Sequence, residues 1–468
     1  MPLSTLPGVR AELQDGGLRP QSQPVQPKVT VIGCTNNPEI TAGVPVRIAS
    51  DDDAILFDNK YAIGGVNLDA LGPVSKPSEL SKAIAEAFAG GADHVEAIAI
   101  TDPTGLNKLE VDPTPQRRFD GLEELYNDIK HSQLDIVVPV TTVIDSTGLA
   151  STDNFAYQLA NLCHQTLINE RACLGVIGVS PPVAGDNVPT LAETEDWVTA
   201  LVSFDTSSLL GVDFTIGDGV TDDSNDGYAD TYAFYATKDE ALPIGTPPVF
   251  DADVEKDGKG IPVDIGRYLS VCANTERFIN EQSSRVNPTL GYYHSNIASA
   301  YAGLIASIVP WEGTTNNILK GVTPVRPLSP NQAARLEAKR FVTLVDRPSG
   351  YKVANGVTWA HRISDFVRSD YTQLTTLRIA TTAIDFVRTV ASKYIGKPSN
   401  AFVISALRND IDEALARLQT LGALNDYKFD LVLTPAQLVL GNITIKLTLY
   451  PALEIRKITV VAGVSAKV

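Results

Sequence analysis

The closing stretch of this chain reads as helix, helix, strand, strand, with apolar faces that match one another. In "TTLRIATTAIDFVRTVASKYIGKPSN" the residues Ile379, Ala383, Phe386, Val387, Val390 and Tyr394 recur at helical spacing, and Gly396 with Pro398 stops the helix. In "SNAFVISALRNDIDEALARLQTLGAL" the stripe is Val403, Leu407, Ile411, Leu415, Leu418 and Leu421, with Gly422 placed as a left-handed cap. In "ITIKLTL" the apolar Ile443, Ile445, Leu447 and Leu449 alternate with Thr444, Lys446 and Thr448, the pattern of a strand with one buried face. Pro451 ends that run, so "LEIRKITVV" reads as a separate strand free to go elsewhere. A β-prone apolar segment at a chain end pairs with something or remains an adhesive edge, and a neighbouring copy is one partner. The opposite end, "MPLSTLPGVRAELQDGGLRPQSQPVQ", lacks periodic apolar residues and reads as an extended arm.

The chain has 468 residues, 44% of them hydrophobic and 20% charged, enough to bury more than one core. No apolar run reaches the length of a membrane span, and the first residues lack the order of a secretory signal, so a soluble protein made in the cytosol is expected. Charge is uneven. Residues 186–264 carry 18 Asp and Glu against 3 Lys and no Arg, a net of −15 out of −17 for the whole chain. That sign repels phosphate backbones and argues against general nucleic-acid binding. The composition of the segment reads as a loop-rich, solvated excursion from a core. Lys and Arg gather after Lys320, mixed with carboxylates.

Before the acidic segment, strand-like and helical stretches alternate. "KVTVIGCT" (28–35), "HVEAIAIT" (94–101), "LDIVVPV" and "CLGVIGVS" are short buried strands. "PSELSKAIAEAFAGG" has an N-cap serine, helical spacing at Leu80, Ile84 and Phe88, and a glycine stop; "DGLEELYNDIKH" and "TDNFAYQLANLCHQTLINE" are also helical. Alternation of this kind predicts an α/β body with a largely parallel sheet. The expected division is an arm over 1–26, a body over 27–185, the acidic segment 186–264, a return of the body over 265–348, a C-terminal helix-plus-sheet (α+β) domain over 349–452, and an arm strand over 453–468.

The signals for chemistry are incomplete. Asp253, Glu255, Asp257, Gly258 and Asp264 follow a calcium-loop spacing, but proline lies inside the loop and no second helix follows; solvated acidic turns explain them. The loop from Asp222 has Ala233 at its twelfth position. "GKPS" at 396–399 has Ala391 where a phosphate loop needs glycine, and Pro398 interrupts it. "GDGVTD" lacks the third glycine of a dinucleotide turn, and no GxSxG turn exists. His94, His131, His164, His294 and His361 are scattered without an HExxH. Cys34, Cys163, Cys173 and Cys272 show no metal spacing and read as buried reduced thiols. No catalytic residue, metal ligand or cofactor site is expected.

The order of segments resembles that of contractile tail sheath proteins, from bacteriophages and related contractile injection machines. The resemblance is carried by "LPGVR" (6–10), "VTVIGCTNNPEITAGVPVRIAS", "LSKAIAEAFAGGADHVEAIAI" and "IASAYAGLIASIVPWEGTTNNILKGVTPV", then by the stretch from "YTQLTTLRIATTAIDFVRTVASKYIGKPSN" to "LYPALEIRKITVV". It implies a multidomain sheath fold, α/β and α+β, whose subunits stack as rings around an inner tube into a helical homo-oligomer. Arms of neighbouring subunits then add strands to the tube-facing C-terminal domain. On that reading Pro7, Gly8, Val9, Leu453, Ile455, Ile458 and Val460 belong to inter-subunit arms. Arg388, Lys393, Lys397, Arg408 and Arg417 are candidates for contact with an acidic tube, although each also suits a solvated helix face. The implied partners are further copies of the chain, a tail tube protein, and baseplate and tail terminator proteins, with no nucleic acid and no membrane insertion. The implied location is a virion's contractile tail, assembled in the host cytoplasm. A headless bacteriocin particle or an extracellular injection system fits the same residues. So, in part, do another self-assembling shell or surface-layer protein and an α/β enzyme.

Overall fold

The structure is a computed structural model. It describes residues 27–34, 40–41, 43–57, 78–100, 134–140, 155–169, 171–179, 182, 189–203, 214–215, 231–232, 235–236, 263–279, 292–360, 370–432 and 443–454. The helix expected at "DGLEELYNDIKH", most of both acidic loops, and all of the arms except Leu453 and Glu454 lie outside the described residues.

The body is built on a seven-stranded sheet. Its strands are β1 (Val29–Cys34), β2 (Pro45–Ile48), β3 (Val95–Ile100), β4 (Ile136–Pro139), β5 (Leu174–Gly178), β6 (Leu269–Cys272) and, after two hairpin strands, β9 (Phe341–Val342). The order across the sheet is β9-β6-β5-β4-β1-β3-β2, and every pairing is parallel except the edge pair of β2 with β3. Both faces are covered, so β4 and β5 are buried throughout, as near-continuous apolar runs in a parallel sheet should be. The hairpin strands β7 (Thr275–Ile279) and β8 (Tyr292–Asn296) pair with each other, as do β10 (Leu344–Arg347) and β11 (Gly350–Val353). In the acidic segment, two-residue pairings join Phe214–Thr215 to Thr231–Tyr232 and Tyr235–Ala236 to Val263–Asp264.

Helices α1 (Glu79–Gly90), α2 (Phe155–Asn169), α3 (Leu191–Ser203), α4 (Ala298–Ser307) and α5 (Pro330–Ala338) belong to the body. Helix α3 corrects the expectation of a solvated, loop-rich excursion over 186–264 at its start, since Trp197, Val198 and Leu201 are buried in the body core. The Ser78 side chain caps α1 by accepting from Ser81 N–H, and Gly91 closes it in the left-handed conformation, as the sequence signals require. Buried α4 crosses α1 at very close range. A Cβ on Gly303 would collide with the Ala87 carbonyl, and one on Gly90 with the Ala300 carbonyl. Ser329 and Gln332 form a reciprocal capping box at the start of α5. Arg335 on α5 pairs with Glu195 on α3.

Helices α6 (Leu374–Ser392) and α7 (Ala401–Thr420) form a hairpin, followed by the antiparallel strands β12 (Leu424–Val432) and β13 (Thr444–Pro451). The expected stripes pack except at two positions: Leu421 is 38% exposed, and Val403 is only partly buried, with Ile404 packing on the core instead. Ile379, Ala383 and Val387 of α6 meet Leu407, Ile411, Leu415 and Leu418 of α7 in a second core. Ile443, Ile445, Leu447 and Leu449 pack on that core, while Thr444, Lys446 and Thr448 face out. Gly396 and Gly422 have φ of +82° and +80°, where a side chain is strained and glycine is not. Helix α6 also enters the first core through Leu374 and Leu377, so one helix spans both. Among the described residues no helix is long and apolar enough to cross a membrane.

Candidate interaction surfaces

Three sites at the C-terminal end of the fold merit description: the seam where α6 meets the body, the tip of the α6–α7 hairpin, and the β12–β13 sheet.

The seam is polar and specific. Arg378 is buried, and its guanidinium donates to the carbonyls of Ile305 and Ile308 at 2.9 and 2.8 Å, at the C-terminal end of α4. Burial lowers its pKa to about 10, so it remains charged at neutral pH and complements the negative end of α4. Two turns further along α6, Asp385 accepts from Ala172 N–H at 3.2 Å, and Arg388, on the next turn, donates to the Leu167 carbonyl at 2.6 Å. Leu167 lies in the last turn of α2 and Ala172 in the α2–β5 turn. The same turn carries Arg171, ion-paired with Asp135 at 2.5 Å. Desolvation raises the pKa of both Asp135 and Asp385, against the lowering effect of the neighbouring arginines and backbone donors. Near the chain's last described residue, Glu454 accepts from the Thr375 hydroxyl at 3.3 Å and lies over Gly313, where a Cβ would meet its carboxylate. The last described residues of the chain therefore sit against the start of α6. Beside it is a cavity of about 690 Å³ lined by residues including Glu312, Glu337, Arg347, Lys352 and Glu454.

The hairpin tip presents a mixed surface. Ile395 and Phe402 are 84% and 82% exposed, and exposure of large apolar groups on this scale is the one signal here that the sequence reading missed. Lys393 caps the end of α6, and Lys397 places its ammonium 4.5 Å from the Tyr394 ring centroid. The Tyr394 hydroxyl in turn donates to Asp410 at 2.7 Å, which fixes the turn to α7.

The five cationic candidates do not form one patch. Lys393 and Lys397 share the tip. Arg388 is turned into the seam with the body. Arg408 leans over Phe429 and approaches Asp430 at 3.7 Å, beside the sheet. Arg417 lies in the last turn of α7, about 24 Å along the helix from its start. Of the arm candidates, Leu453 is exposed, while Pro7, Gly8, Val9, Ile455, Ile458 and Val460 lie outside the described residues.

The β12–β13 sheet has two strands and, among the described residues, no strand pairs with the outer edge of either. Its inner face rests on α6 and α7, with the Tyr427 hydroxyl donating to Asp412 at 2.9 Å. Partial burial, and then that contact, push the Tyr427 pKa up to about 12. Two-stranded sheets are marginal alone, and open edges accept further strands. In the body, the space beside Gly33, at the end of β1 where a doubly wound sheet would admit a ligand, is filled by Val140 and Leu80. No cluster of three or more His, Cys, Asp or Glu suited to a metal occurs among the described residues.

Comparison with known proteins shows where this architecture recurs. No protein-family model matches the sequence, and no curated protein matches it by sequence. Solved structures do match over almost the whole chain. A chain of the sheath complex of an extracellular contractile injection system (PVC) in its contracted state is similar with a TM-score of 0.55 and 13% identity, covering 99% of this chain and 98% of that one. The contracted helical sheath of the anti-feeding prophage gives 0.54 and 12%, covering 98% and 99%. A chain of the six-fold symmetrised anti-feeding prophage baseplate gives 0.53 and 13%, covering 99% and 100%. This chain has the fold of those chains, which is the fold implied by the sequence resemblance.

Proposed function

We propose that this protein is the structural subunit of a contractile sheath. Copies polymerise around an inner tube as stacked rings held by their terminal arms, and contract to drive the tube through a cell envelope. The β12–β13 sheet carries the proposal, because among the described residues both of its outer edges are open. A six-residue arm strand added at either edge gains several backbone hydrogen bonds worth roughly 0.5–1.5 kcal/mol each, and alternate side chains fix its register. The whole-length likeness to sheath chains supports the same reading.

In this reading the role is mechanical and needs no catalysis. The partners are other copies, a tube protein, and the baseplate and terminator at the ends of the sheath. Lys393 and Lys397, with Ile395 and Phe402 beside them, are the best-placed group for an acidic tube, whereas Arg388 is engaged by the body. A phage tail, as part of a virion assembled in the host cytoplasm and serving genome ejection, and an extracellular injection system both use such a subunit. The similarity to the injection-system sheath fits both.

Deleting residues 1–20 or 453–468 tests the proposal. Each truncation should give a soluble monomer with an unchanged circular dichroism spectrum and no polymers by light scattering. Polymerisation equal to that of the full chain would refute the role of the arms.

A further inference from the structure

We infer that Cys163 and Cys173 form an oxidisable dithiol that closes to an intramolecular disulfide when the protein meets a small-molecule disulfide. Their Sγ atoms lie 3.5 Å apart, and both side chains are buried. A disulfide requires about 2.0 Å between sulfurs, so a side-chain rotation and a shift of about 1.5 Å complete the bond. Cys163 faces out of α2 toward Cys173, the residue just before β5, and only the nine residues 164–172 separate the two cysteines. The third buried cysteine with a described side chain, Cys272, pairs in register with Gly178 at the far end of β5, about 16 Å along the strand from Cys173, and takes no part.

The exchange runs in two steps. Cys173 is 4% exposed, whereas Cys163 is fully buried, so Cys173 reacts first. Its thiolate attacks one sulfur of the small disulfide RSSR, forming a mixed disulfide and releasing RS⁻. Cys163 then loses its proton, and its thiolate attacks the Cys173 sulfur and displaces the second RS⁻. Two protein thiols are oxidised, one RSSR is reduced, and the two thiol protons end on two RSH. Burial raises the Cys163 thiol well above its usual range, which makes the second step slow.

The staple has a consequence for the rest of the fold. It fixes the last turn of α2 and the α2–β5 turn, where the Leu167 carbonyl and Ala172 N–H hold Arg388 and Asp385 of α6. Oxidation therefore stiffens the platform on which the C-terminal helices rest. This inference depends only on the two side chains and not on what the protein assembles into.

The test uses the full-length protein incubated with oxidised glutathione, then alkylated and mapped by mass spectrometry without reduction. The expected product is a cross-linked peptide joining Cys163 to Cys173, a mass lower by two hydrogens, and an apparent melting temperature raised by several degrees and restored by dithiothreitol. Cys272→Ser should behave as wild type, whereas Cys163→Ser should retain a glutathione adduct on Cys173. Persistent adducts in the wild-type protein with Cys163 still free, or both thiols unmodified after prolonged exposure, would overturn the inference.

Discussion

His164 shows how one buried side chain ties stability to pH. It lies in α2 with its ring 5.5 Å from that of Tyr268, and among the described residues neither ring nitrogen has a hydrogen-bond partner. Burial, with the nearby charge of Arg267, lowers its pKa from 6.5 to about 4. The unfolded chain takes up this proton near pH 6.5 and the folded chain only near pH 4, so the unfolded state holds more protons in between. The contribution is complete above pH 6.5 and declines as pH falls toward 4, by about 3 kcal/mol in total. Asp135 and Asp385 act in the opposite sense: their raised folded-state pKa values favour the folded form in acid and lose that contribution as pH rises through them. The informative quantity is therefore the difference between wild type and His164→Phe. Melting temperatures measured from pH 7 to 4 should fall less steeply for the variant, and parallel curves would contradict the assignment. Sequence reading reaches this scale poorly. The absence of an HExxH leaves His164 to a packing or surface role, and nothing in the spacing of Cys163 and Cys173 announces that their sulfurs meet. Arg388 looks like a solvated helix residue until the body that receives it is in place.

At the level of elements, most of the chain was legible because periodicity and caps agree. The α6 and α7 stripes, the Ser78 cap, and the alternation of β13 each follow from apolar spacing that only one backbone geometry satisfies. The α1–α4 crossing was not legible. Helix α4 is buried all round, so its sequence marks no face, and Gly90 reads as a helix stop although it also makes room for Ala300. Replacing Gly303 by alanine drives a methyl group into the Ala87 carbonyl, and neither backbone can turn aside. The expected cost is about 1–3 kcal/mol, seen as a lower urea midpoint with an unchanged slope. A variant that unfolds with the wild type would mean that the helices are further apart than described. The open edges of β12 and β13 belong to this scale too, since sequence predicts a strand but not whether its neighbour lies in the same chain.

For the molecule as a whole, the order of segments carried more than any single motif. An alternating body, an acidic excursion and a helix-plus-sheet close were each ordinary, and together they resembled one family whose fold the structure shares over nearly its whole length. What the sequence left unresolved is physical in origin: rings, tubes and arms are properties of many copies, and one chain records them only as faces and edges left unpaired. Contraction in this account is a rearrangement of rigid bodies linked through strand exchange, with the polar seam of Arg378, Asp385 and Arg388 keeping each body and its C-terminal helices together. Electron microscopy of the purified full-length protein, concentrated at moderate salt and also mixed with purified tubes, addresses this directly. The account predicts hollow, striated cylinders of stacked rings, formed alone or on the tubes. Dispersed particles of subunit size that also leave the tubes bare would contradict it.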